Sequence, residues 1–363
     1  MAGITLRNVR IGQGTLNFEI QDREFVVLTG PVDCGNSAIL RMIAGLDEAR
    51  EGDLLLGERR INDVPAKDRD IAFVAHDYAP YPGMSVYQNL AFGLKRRNFA
   101  DAEVRKRVTS VAEILGLQEP LDRKPRGEDE ERQMIALARA MVLQPKVFLF
   151  DEPFSGLDSA AARRRGRAQI KQLHQRLPAT MIYATHDPVE ALAIGERTVV
   201  LDRGSVQQDG SAQAVYDTPA NLFVAGFAGS PPMNLIQGTL KQERDSLLFT
   251  EAGDGTIAIR LPISQEYSGK SIVLGIRPED FEIAAAAGGA ERSPSSFKAL
   301  VDRIEPRGPE TDLYLKTGAH ELVCRSRRWI DQGEGGHRFQ FEIDLGKTHL
   351  FDPVSGRRIM AET

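Results

Sequence analysis

A chain of 363 residues with 42% hydrophobic content is long enough for two domains, each with a core of its own. Its net charge of −5, with acids and bases interspersed, gives no basic footprint for nucleic acid. No apolar run reaches the roughly 18 residues of a membrane span, and the amino terminus has no signal-peptide core. Cys34 and Cys324 stand far apart without ligand spacing, so a soluble, cytoplasmic chain free of disulfides is expected.

Through residues 1–220 apolar runs alternate with helical patterns. The segments "EFVVLTG" (24–30), "DIAFVA" (70–75), "KVFLFD" (146–151), "TMIYATH" (180–186) and "RTVVLDRG" (197–204) have the character of buried strands. Most are followed by a helix, which predicts an α/β domain with a parallel sheet covered on both faces. The spacing of "DAEVRKRVTSVAEILGL" (101–117) predicts a helix in an inserted helical section. The Gly, Ser and Pro residues of "AGSPPMN" (228–234) predict a domain boundary. Beyond it, short alternating segments from "NLIQGTLK" (234–241) to "HRFQFEI" (337–343) predict a small β-barrel or sandwich. "AAAAGGAERSPSS" (284–296) is of low complexity and is expected to form a flexible loop.

"GPVDCGNSA" (30–38) follows the first buried strand and opens a helix. In a phosphate-binding loop, consecutive backbone N–H groups and the positive end of the helix point at the anion. Gly30 and Gly35 allow the tight turn, and Ser37 supplies a hydroxyl suited to Mg²⁺. A lysine at position 36 would add a charged donor; Asn36 offers a neutral amide, a loss of about 1.5–3 kcal/mol. Asp33 adds a carboxylate to the same loop. An ordinary strand-to-helix turn fits these residues as well.

"KVFLFDEPFSGLD" (146–158) is an apolar strand ending in two carboxylates. Such an end can deliver Asp151 to a metal shell and Glu152 to a water that attacks phosphate; the alternative is a plain acidic turn. His186 in "YATHDPVEA" (183–191) leaves a further strand and is in register to reach a γ-phosphate, or to be a satisfied structural histidine.

Together these segments resemble the ATP-binding subunits of ABC transporters, specifically the maltose-type carbohydrate importers, over nearly the whole chain. "LRMIAGLDEAREGDLLLGERRINDVPAKDRDIAFV", "YPGMSVYQNLAFGLKRR", "ALARAMVLQPKVFLFDEPFSGLD" and "ATHDPVEALAIGERTVVLDRGSVQQDG" match the ATP-binding part. "GSPPMNLIQGTL", "VLGIRPEDFEI" and "HLFDPVSGRRI" look like that family's C-terminal regulatory domain. The resemblance implies a P-loop NTPase-type ABC nucleotide-binding domain over 1–230, with a helical section at about 85–135. It further implies an all-β, oligonucleotide-binding-type (TOBE-like) regulatory domain over 231–363.

By that resemblance, the backbone of Gly30, Pro31, Val32, Asp33, Cys34, Gly35, Asn36, Ser37 and Ala38 cradles ATP. Ser37 and Asp151 hold Mg²⁺, Glu152 is the base, and His186 senses the γ-phosphate. Ser155, Gly156, Leu157 and Asp158 form a loop at the dimer contact. The implied partners are membrane permease subunits and a second ATP-binding subunit, identical or different, with the chain peripheral on the cytoplasmic face of the inner membrane.

Departures from the family pattern cluster at the chemistry. Asn36 stands for lysine, and His76 for the glutamine that contacts Mg²⁺ and the attacking water. "VRIGQGTLNFEI" (9–20) is shorter than in the family and has no ring to stack on adenine. Gly127, Glu128, Asp129, Glu130 and Glu131 replace the Leu-Ser-Gly-Gly-Gln signature. Carboxylates at a helix N-terminus suit its dipole and its free N–H groups, but repel phosphate by on the order of 4 kcal/mol per close contact before screening. A solvated acidic cap, or pairing with a basic partner surface, fits the same residues. Two expectations follow: weak or partner-dependent ATP hydrolysis coupled to uptake of a carbohydrate or polyol, or a pseudo-ATPase with a structural or regulatory role.

Overall fold

Five apolar runs carry the first architecture, and each emerges as a strand: β3 (Phe25–Thr29), β6 (Ile71–Ala75), β7 (Val147–Asp151), β8 (Thr180–Thr185) and β9 (Arg197–Asp202). The computed structural model describes residues 3–75, 78–117, 120–243, 246–261, 264–284, 295–330 and 335–359. His76 and residues 285–294 of the expected flexible loop lie outside the described residues. The chain divides into two compact units, Met1–Ala212 and Gln213–Thr363.

In the first unit the sheet order is β10-β9-β3-β8-β7-β6, parallel except for β10 (Ser205–Ser211), which returns antiparallel along β9. A strand covered on both faces needs apolar side chains on both, and β3 and β7 supply them alternately. Val26, Leu28, Val147 and Leu149 pack with α1 (Asn36–Ala44) and a four-stranded antiparallel sheet. That sheet is built from β1 (Ile4–Ile11), β2 (Gly14–Ile20), β4 (Asp53–Leu56) and β5 (Arg59–Arg60). Phe25, Val27, Phe148 and Phe150 face the other layer. This layer holds α2 (Val86–Arg96), α3 (Asp101–Leu115), α4 (Asp129–Met141), α5 (Ala160–Arg176) and α6 (Pro188–Ile194).

Local signals set the helix ends. Ser85 and Gln88 close a reciprocal capping box at the start of α2, and Gly116 ends α3 in the left-handed region. The buried Arg69 donates to the carbonyls of Met42 and Ile43 in the last turn of α1, and to those of Val64 and Asn62. It thereby fixes the helix that the phosphate loop opens. No described helix is long and apolar enough to cross a membrane.

Gly166 lets α5 lie against Phe154, because a Cβ there would meet the ring at 2.4 Å. Gly166→Ala is therefore expected to cost about 1–3 kcal/mol through overpacking, although alanine is the better helix former. A lowered urea midpoint at unchanged slope would show it.

The second unit is almost entirely strand, preceded by two short helices, α7 (Ala212–Asp217) and α8 (Leu222–Phe227). The division thus falls ahead of the Pro-rich segment 228–234, and the intervening helices go with the second unit. One sheet runs β13-β12-β11-β14-β20-β21 and the other β15-β19-β16-β17-β18, all pairs antiparallel. The strands are β11 (Asn234–Glu243), β12 (Ser246–Glu251), β13 (Ala258–Leu261), β14 (Ser271–Ile276), β15 (Phe281–Ile283) and β16 (Ser296–Pro306). They continue with β17 (Thr311–Lys316), β18 (Glu321–Ser326), β19 (Arg338–Ile343), β20 (His349–Phe351) and β21 (Arg358–Ile359). Their inward residues, among them Phe249, Phe281, Phe297 and Phe341, make one shared core.

Candidate functional site

The site of the first unit gathers at the carboxyl ends of β3, β7 and β8, where loops leave a parallel sheet. Between β3 and α1 the chain turns through Gly30–Gly35. Gly35 adopts φ 102°, and a Cβ on Gly30 would lie 2.1 Å from the Leu201 carbonyl oxygen, so both positions need glycine. Asp33 also sits in the left-handed region at φ 68°, exposed beside Pro31 and Val32. Cys34 turns inward, and burial pushes its thiol up to about 11, leaving it a packing residue.

Ser37 and Asp151, the two residues expected to hold Mg²⁺, lie side by side: Ser37 Oγ donates to Asp151 Oδ1 at 2.7 Å. Ser37 is half-buried and Asp151 buried. Two hard oxygen donors at one point suit Mg²⁺, which takes one or two protein oxygens and fills its shell from water and phosphate. The glycine-built cradle suits a phosphate chain by shape. Asn36 fits it less well. It is 1% exposed, its Oδ1 accepts the Ser37 N–H at 2.7 Å, and its Nδ2 has no partner among the described residues. One loop N–H that a phosphate would use is thus already bound by the neighbouring side chain. Ala38 lies behind it, half-buried against the core.

Glu152 and His186 are brought together, as the register of β7 and β8 requires. Glu152 adopts φ 46°, a conformation costing on the order of 1–3 kcal/mol, with its N–H held by the Ala184 carbonyl. Its Oε1 lies 2.9 Å from His186 Nε2, and His186 Nδ1 lies 3.0 Å from the Gly30 carbonyl oxygen. A carbonyl only accepts, so in this contact Nδ1 is the donor, and Nε2 faces the Glu152 carboxylate. This chain of contacts ties the base position to the first glycine of the phosphate loop. In the turn that follows, Ser155 Oγ donates to the Glu152 carbonyl. Ser155, Gly156 and Asp158 are exposed, whereas Leu157 is buried.

The acidic segment behaves differently from a set of free charges. Glu128 occupies the N-cap of α4 without a side-chain capping bond, after Gly127 at φ 87°. Arg165 of α5 grips Glu130 with both Nε and Nη2, at 2.9 and 3.0 Å. Glu131 Oε1 lies 2.5 Å from Arg123 Nη2, and its other oxygen accepts the Arg126 N–H. Asp129 pairs with Arg132 one turn on. Three of the four acids are thus met by arginines of their own chain, which reduces the repulsion expected toward phosphate. The sequence signal for this is the run "RRRGR" (163–167), thirty-five positions from its partner and invisible to local spacing.

At the far end of α4, Arg139 stands over the rings of Tyr78 and Tyr81, at 4.3 and 3.8 Å from their centroids. Burial lowers its guanidinium to about 10. It clamps α4 to the segment just after His76. The segment expected to lack an adenine-stacking ring closes as the β1–β2 hairpin, with Ile11 paired to Gly14 and only Gly12 and Gln13 between them.

Comparison with known proteins follows this geometry. The ABC transporter family matches residues 14–155, the MalK OB fold domain 229–281 and the TOBE domain 274–351. The chain is 44% identical to the uncharacterized ABC transporter ATP-binding protein y4oS of Sinorhizobium fredii, over 99% of this chain and 95% of that one. It is 45% identical to the uncharacterized ABC transporter ATP-binding protein YcjV of Escherichia coli O157:H7, over 93% and 91%. It is 42% identical to the trehalose/maltose import ATP-binding protein MalK of Thermococcus litoralis, over 99% and 100%. Among solved structures, the ATP-binding cassette MJ0796, a dimer in a post-hydrolysis state with ADP and Pi, superposes with a TM-score of 0.51 at 26% identity. That match covers 58% of this chain and 98% of the other.

Proposed function

This chain belongs to the MalK-type ATP-binding subunits of ABC transporters, and on that premise we propose that it drives import of a carbohydrate or polyol with weak or partner-dependent ATP hydrolysis. Its partners in this reading are membrane permease subunits and a second ATP-binding subunit, so that it works peripherally on the cytoplasmic face of the inner membrane. The observation that carries the reading is the retained constellation of Ser37 on Asp151 and of Glu152 on His186.

Ser37 and Asp151 would hold Mg²⁺, and the N–H groups of residues 30–38 would receive the phosphates. When bound, Mg-ATP supplies the phosphoryl group and the charge that polarises it. Glu152 is placed to take the proton of an attacking water, and His186 steadies that carboxylate while hydrogen-bonded to Gly30. Asn36 brings no cation to the outer phosphates, and its Oδ1 competes with them for the Ser37 N–H. That competition favours a second reading, a pseudo-ATPase that serves the complex as a structural or regulatory subunit.

Calorimetric titration with Mg-ATP, alongside phosphate release, separates the two. The native chain is expected to bind Mg-ATP weakly and hydrolyse it slowly. Glu152→Gln should remove about 10²–10⁴-fold of that residual rate without weakening binding. A rate untouched by Glu152→Gln overturns the assigned base. Binding without hydrolysis, even with the permease and a competent partner present, leaves the pseudo-ATPase reading.

A further inference from the structure

We propose that the second unit carries a binding site for a small hydroxylated anion, a phosphate monoester or a carboxylate, in the cleft between Arg277, His349 and Arg358. The cleft has a volume of about 460 Å³, within the range of small-molecule pockets. It forms where the end of β14, the start of β20, β21 and the end of α7 converge.

The polar groups of its walls are unequally satisfied. Glu279 accepts from the Tyr216 hydroxyl, and Asp280 accepts from Lys347 Nζ at 3.0 Å. These two carboxylates are therefore engaged. Arg277 is 3% exposed and stacks on the Tyr216 ring, its guanidinium carbon 3.8 Å from the centroid. Its Nη groups donate to the backbone carbonyls of Ala228 and Tyr216, neutral acceptors that leave the positive charge without a bonded carboxylate. Arg358, half-buried on β21, has no ion pair or side-chain hydrogen bond among the described residues. His349 is 8% exposed, and its Nδ1 is buried without a partner among the described residues.

A buried nitrogen with no partner is costly, and a guanidinium is the planar fork that carboxylates and phosphates fit. Burial, with the fields of Arg358 and Arg277 added, lowers the His349 imidazole to about 4, and both guanidiniums line the same cleft as the ring. An anion seated there would meet both guanidiniums and offer Nδ1 an acceptor once the ring is protonated. Asp217, exposed at the end of α7, faces the same cleft. It can accept from ligand hydroxyls, and its charge limits how much negative charge the cleft tolerates.

Calorimetric titration of the full chain with glucose 6-phosphate, gluconate and glucose tests the assignment. One or both anions are expected to bind and neutral glucose not, the stronger anion identifying phosphate ester or carboxylate as the preferred head. Arg358→Gln should weaken the binding by about tenfold or more, the worth of one hydrogen bond to a charged group. Asp217→Asn, at an exposed position where folding is not at stake, should tighten it. Silence from both anions, binding of glucose as strong as theirs, or affinities unmoved by both substitutions would overturn the proposal.

Discussion

ATP turnover is expected to rise at least about 100-fold when Asn36→Lys and His76→Gln are combined with rewriting residues 127–131 as Leu-Ser-Gly-Gly-Gln. The charged lysine donor replaces an amide whose oxygen now binds the Ser37 N–H, so the change adds a cation and frees a backbone donor together. Donors aimed at a developing oxyanion are worth about 10²–10³ in rate each. The Glu130–Arg165, Asp129–Arg132 and Glu131–Arg123 pairs disappear in the process; the first two are about half exposed and worth at most about 1 kcal/mol each, and Glu131–Arg123, the least exposed, is the largest loss. The measurement is phosphate release by native and rebuilt chains, each reconstituted with the same permease and partner. Equal rates would refute the view that these residues hold activity down.

The second large effect is on stability against pH. His349 protonates at about 4 in the fold and at 6.5 when exposed, chiefly because burial disfavours its charged form. Arg358 and Arg277 press in the same direction, and Asp217 opposes them weakly. Below pH 6.5 the unfolded chain binds a proton that the folded chain refuses, so this contribution is complete above 6.5 and declines as pH falls toward 4. Over that interval it amounts to about 3 kcal/mol. Other groups titrate in the same window, so the decisive quantity is a difference. His349→Gln should flatten the dependence of unfolding free energy on pH by up to about 1.4 kcal/mol per unit. Parallel curves for the two proteins would show that the ring does not resist protonation.

Much of this molecule is legible in its sequence, for physical reasons that differ by element. The buried strands announce themselves because a parallel sheet sealed on both faces demands unbroken apolar runs such as "FVVLT" and "VFLFD". The proximity of Ser37 to Asp151 is legible because Asp151 closes the run "VFLFD" and Ser37 lies in the first turn of the helix that follows "FVVLT". What spacing cannot deliver is the partner of a long, exposed side chain. Glu130 meets Arg165 across thirty-five positions, and Glu131 meets Arg123, so the acids that read as free charge are largely balanced. Nor does spacing show that Asn36 folds its amide back onto the next residue, a choice of rotamer rather than of pattern. The cleft around His349 is hidden for the same reason, since its walls come from segments scattered between 216 and 358.

The two-residue turn of the β1–β2 hairpin has one more consequence. Only Gly12 and Gln13 stand at its tip, and the one ring of the strand pair, Phe18, is buried in the core, so the hairpin itself presents no aromatic face on which a base could stack.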